Sequence, residues 1–95
     1  MPLELPMIER MRARKQAKRM AWLATQNARS LQEALDRFEA SVRSEPMAEG
    51  EYGSIWITIV LQIGFALIKW WWENRDSRGR FRRLPRNWQE RFDPV

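Results

Sequence analysis

The chain has 95 residues, 44% apolar and 31% charged, with 17 basic against 12 acidic side chains and a formal net charge of +5. A chain of this size is at most one small domain burying roughly two-thirds of its unfolded surface, so cover from a partner or a bilayer is expected. With no cysteine and no histidine, disulfides, thiolate nucleophiles, sulfur-ligated metals and the commonest general base are excluded, while the redox compartment stays open.

Of the 17 basic residues 14 are arginine, the side chain that pairs in bidentate fashion with phosphate or carboxylate and stacks on aromatic rings. Anionic lipid, nucleic acid and acidic protein are the partners this implies. The early basic residues are not followed by an apolar run, so the start does not read as a secretory signal. Met7 to Ser30 is arginine-rich and helical in pattern, as transit peptides are, but Glu9 and a periodicity that continues past Ser30 favour a place in the mature fold.

Residues 1–6 read as an extension, since Pro2 and Pro6 forbid a stable helix before Met7. From Met7 to Arg43 neither glycine nor proline intervenes, which predicts one amphipathic helix of about 37 residues. Ala17, Ala21, Ala24, Ala28, Leu31, Leu35, Phe38 and Val42 are spaced alternately by four and three residues, an a/d seam predicting a helix interface. Alanine fills its first half and large side chains its second. The seam serves either protein partners and self-association or packing within the chain. Upstream, Arg10, Arg12, Arg14, Lys15, Lys18 and Arg19 are spread around the helix, with Met7, Ile8, Met11, Met20, Trp22 and Leu23 among them.

Residues 44–54 read as an acidic linker carrying Glu45, Pro46, Glu49, Gly50, Glu51 and Gly53, with Ser54 as the N-cap of the next helix. Residues 55–73 form that helix. Its apolar part, Ile55 to Trp72, is about 18 residues with Lys69 as the one charge, or about 27 Å against a hydrocarbon core of about 30 Å. Trp56 at one end and Trp70, Trp71 and Trp72 at the other match membrane-interface aromatics, and Lys69 can snorkel. Thr58, Gln62, Ala66, Lys69 and Glu73 fall within about 80° on one side. In a bilayer, that polar seam of Thr58, Gln62 and Lys69 would face another helix; in a soluble bundle it would be the solvated face.

Residues 74–95 form an irregular arginine-rich tail interleaved with Phe81, Trp88 and Phe92. Arg75, Arg78, Arg80, Arg82, Arg83 and Arg86 are the lipid or phosphate contacts it offers. They follow the apolar helix within about 15 residues, which puts the C-terminus on the cytoplasmic or interior side. No glycine-rich phosphate loop is present, and Glu33, Asp36 and Glu39 run along a charged face beside arginines, so neither enzymatic activity nor a cofactor or metal is expected.

The pattern as a whole is all-α and leads to three functional expectations. The first is a single-pass membrane-anchored structural or assembly subunit, of a lipid-containing virion or a multisubunit membrane complex. The second is a pore-forming oligomer of holin type, and the third a soluble helical protein that binds nucleic acid through both basic clusters.

Overall fold

A computed structural model describes residues 6–92; residues 1–5 of the expected extension and 93–95 of the tail lie outside the described residues. The described residues are helical, with no strand among them. Helix α1 spans Met7–Thr25, α2 Leu31–Arg43, α3 Gly53–Glu73 and the short α4 Trp88–Phe92, with a 3-10 turn at Pro46–Glu49.

The single long helix predicted over residues 7–43 is two helices, and local chemistry explains the break. Asn27 adopts a left-handed φ of 60°, a conformation asparagine tolerates better than most residues. Ser30 then caps α2: its hydroxyl accepts from the Glu33 amide at 3.1 Å, while the Glu33 carboxylate accepts from the Arg29 amide at 2.8 Å. This is a variant of the reciprocal capping box, one residue displaced on the return bond. Arg37 reaches back to donate to the Gln26 carbonyl at 3.0 Å and also pairs with Glu33. The break therefore has a cap, a turn residue and a side-chain brace.

The break folds α1 and α2 into a hairpin, and α3 lies in its groove. Gln16 on α1 meets Trp56 near the start of α3, and Trp22 meets Trp71 near its end. So α1 and α3 run in the same sense, with α2 returning between them in chain order. Contacts with α1 are lined by small residues: Ala13, Ala17 and Ala21 are fully buried and Ala24 nearly so. Small side chains let helix axes approach closely. On the α2 side Phe38 is fully buried, and a Cβ placed on Gly64 would lie 1.9 Å from its ring. The ring thus occupies the space a side chain at Gly64 would need. Phe65 meets the same ring edge-on, with centroids 5.6 Å apart.

The expected linker is shorter and more ordered than its composition implies. Helix α3 starts at Gly53, one residue before the proposed cap at Ser54, with no side-chain cap. A Cβ at Gly53 would sit 2.0 Å from the Ala48 carbonyl, so the 3-10 turn presses directly on the start of α3. At its other end Asn74 closes α3, its side-chain amide donating to the Trp70 carbonyl at 2.8 Å.

Candidate anionic interface

The helix-interface residues of the sequence pattern come together inside this chain. Ala17, Ala21, Ala24, Phe38 and Val42 belong to its buried core, while Ala28, Leu31 and Leu35 pack against that core and keep partial exposure. Ala34 and Ala13 are also fully buried, though neither belongs to the heptad seam. The tryptophans divide likewise. Trp56 is 1% exposed and its Nε1 donates to Gln16 Oε1 at 2.9 Å; Trp71 is 2% exposed; Trp70 and Trp72 are half-buried.

Helix α3 is long and apolar enough to cross a membrane, with 21 residues and a mean hydropathy of 1.5 in its most apolar window. Its uncovered face is polar. Thr58, Gln62, Lys69 and Glu73 are exposed and fall within about 60° of one another, whereas Val60, Ile63, Leu67 and Ile68 are fully buried. The polar seam is therefore turned fully to the surroundings, while Ile55, Ile59, Leu61 and Phe65 beside it are half-buried.

The tail folds back along the bundle with its aromatic side inward. Phe81 lies 5.9 Å from Trp22 and 6.0 Å from Trp72, and Phe92 lies 6.5 Å from Trp70. Leu84 and Trp88 are half-buried beside them. This inward set recurs at helix-like intervals of three and four residues, a periodicity present in the sequence and masked by the arginines between. Arg75, Arg78, Arg80, Arg82, Arg83 and Arg86 are all exposed. Arg75 also lies over the Trp72 ring at 4.7 Å.

A turn at Asp76 reverses the chain at the start of the tail. The Asp76 carboxylate accepts from the amides of Arg80 at 2.9 Å and Arg78 at 2.8 Å, and Gly79 completes the reversal at φ 80°. The Arg80 amide foremost, then the Arg78 amide and the nearby Arg80 and Arg82 guanidinium groups, holds the Asp76 carboxyl below its ordinary range against a partly opposing desolvation.

Folding the tail back joins two basic regions that lie far apart in sequence. Lys18 of α1 lines one cleft of about 370 Å³ with Arg82 and Arg83 of the tail, and Trp22, Trp71, Phe81 and Leu84 complete its wall. No carboxylate lines it among the described residues. The cleft is continuous with one side of α1, where Met7, Met11, Lys15, Lys18 and Trp22 are all exposed and fall within about 80°. Once the alanine face is buried, the remaining positions of α1 resolve into an ordered amphiphilic stripe. Sequence reasoning found these residues but treated the basic cluster as having no face.

No group of three or more metal-ligating side chains comes together among the described residues. Comparison of the chain with protein-family models, with curated proteins and with solved structures gives no match.

Proposed function

We propose that this is a small non-enzymatic assembly or attachment protein that docks on an anionic membrane surface through the outer face of α1 and the arginines of its tail. The observation that carries the reading is the stripe Met7, Met11, Lys15, Lys18 and Trp22, in which Met7 is 78% and Met11 50% exposed. Met7 and Met11 at the exposed start of this face can enter the acyl boundary, while Lys15 and Lys18 further along it snorkel to the headgroups. Arg82 and Arg83 extend the cationic area beside it, each basic residue near an anionic surface contributing about 1 kcal/mol. Protein partners meet the opposite, mixed-charge side, where Gln32, Asp36 and Arg43 of α2 are exposed.

The test is flotation with vesicles. The protein is expected to float with phosphatidylcholine vesicles containing about one-third phosphatidylglycerol, to stay behind with pure phosphatidylcholine, and to be released largely by about 1 M salt. Failure to float with the anionic vesicles sinks the reading. Tight, steeply salt-dependent binding of single-stranded oligonucleotide in its place transfers the surface to nucleic acid.

A second reading is supported by the length and hydropathy of α3: it spans the bilayer, with the C-terminus on the cytoplasmic or interior side. That state requires the hairpin to leave α3, because the charged outer faces of α1 and α2 cannot enter hydrocarbon. Gln62→Arg separates the two. On the exposed polar face of the closed bundle the substitution is nearly neutral, whereas at the middle of a span it costs about 2.5 to 3.5 kcal/mol. Resistance of the wild type to alkaline carbonate, lost in Q62R, establishes the span; release of both proteins by salt establishes surface attachment.

A further inference from the structure

We propose that the cleft between Lys18 and the Arg82–Arg83 pair binds the headgroup of a single anionic phospholipid, so that membrane attachment includes one specific lipid site in addition to a diffuse charged face. The inference rests on the surface-attachment reading above and deepens it.

Three basic residues from two separate elements line one concave space of about 370 Å³, the lower part of the size range of small-molecule sites. Among the described residues none of the three makes an ion pair, whereas Arg12 pairs with Glu9, Arg37 with Glu33 and Arg43 with Glu39. The Lys18 ammonium also lies over the Trp88 ring, 5.6 Å from its centroid. Converging guanidinium groups supply forked donors to a phosphodiester, and the ammonium adds a compact charge.

The wall selects the kind of phosphate. Trp22 and Phe81, with Leu84 beside them, give the cleft an apolar side that matches the glycerol and first acyl carbons of a lipid. Stacking of a nucleobase is disfavoured because Trp22 already packs edge-to-face against Trp71 at 5.3 Å and Phe81 at 5.9 Å. Trp22 is nevertheless 40% exposed, so it stands as a lip at the entrance. The methionines of the α1 stripe lie along the same face, where the acyl chains of a bound lipid would continue into the bilayer.

The experiment uses full-length protein and water-soluble short-chain lipids below their micelle concentration, followed by titration calorimetry. Dihexanoyl phosphatidylglycerol is expected to bind, and dihexanoyl phosphatidylcholine and glycerol phosphate to bind far more weakly. R82Q/R83Q is expected to weaken phosphatidylglycerol about 20-fold, while the charge-matched R29Q/R43Q, just before α2 and at its last residue, changes it by less than about 2-fold. All four arginines are exposed, and unchanged circular dichroism confirms that both variants fold. Equal weakening by the two variants overturns the site, as does glycerol phosphate binding as tightly as the lipid. Tighter binding of a short oligothymidylate also overturns it. If the protein floats with anionic vesicles yet ignores the short-chain lipid, surface attachment stands and the cleft proposal falls. If it binds the short-chain lipid without floating, the cleft stands and the attachment reading falls.

Discussion

Helix α3 is held from two sides by different means. Toward α1 the contact is a row of alanines, Ala13, Ala17, Ala21 and Ala24, braced by a partly buried hydrogen bond from Trp56 to Gln16. Toward α2 it is one large ring, Phe38, seated on the bare backbone of Gly64. The first spreads its stabilisation over many small contacts, and the second concentrates it in one side chain and one absent side chain. Repeated small contacts tolerate single changes, whereas a single insertion does not.

Phe38→Ala tests the concentrated side most severely. It empties a fully buried ring site and is expected to lower stability by about 3 to 5 kcal/mol in urea denaturation, a large share of the 5 to 15 kcal/mol typical of a domain. A loss of under about 1 kcal/mol would mean that α2 is not seated on α3. Gly64→Ala comes next: the added methyl meets the Phe38 ring, and overpacking of about 1 to 3 kcal/mol outweighs a helix-propensity gain of about 1 kcal/mol. Combining it with Phe38→Leu should restore part of the loss. A stabilised G64A single variant would remove the proposed fit.

On the distributed side, Gln16→Ala deprives the Trp56 indole of its acceptor and is expected to cost about 1 kcal/mol, with a shift in Trp56 side-chain resonance. A loss matching that of F38A would erase the contrast between the two sides. The smallest effect belongs to Asp76→Asn, which touches neither contact and so reports on the tail alone. Because the folded carboxyl titrates below its ordinary 3.8, its ionised form favours the folded tail above that pH. That contribution disappears as acidification passes through the lowered value. Wild type and D76N should therefore differ slightly at neutral pH and converge in acid, read from the Arg80 amide resonance; a difference that grows in acid contradicts the assignment.

Much of the helical content was legible in the sequence. The absence of glycine and proline from Met7 to Arg43, and the apolar length of Ile55 to Trp72, located the outer ends of the α1–α2 region and of α3 to within a few residues, but not the break between α1 and α2 nor the short α4 in the tail read as irregular. The seam from Ala17 to Val42 identified faces that pack, but a heptad pattern does not specify whether its partner belongs to the same chain. The break at Asn27 carried a signal, Ser30 followed by Glu33, that the continuing periodicity outweighed. The fit of Phe38 on Gly64 had no signal, since it depends on the register of two helices brought together by the 3-10 turn. The cleft was illegible for a related reason: Lys18 and Arg82 are neighbours only after the aromatic side of the tail has docked.

The order of elements along the chain has a consequence for synthesis. Translation delivers α1 and α2 before α3, so the two segments that cover the most apolar helix have already been made when it leaves the ribosome. The interval in which bare Ile63, Leu67 and Ile68 meet water or insertion machinery is set by how fast the hairpin closes on them. The tail arrives last and seals the end of the bundle at Trp22 and Trp71. A chain truncated just after Glu73, which keeps α3 but lacks the tail that seals it, should thus be captured by membranes more readily than the 95-residue chain.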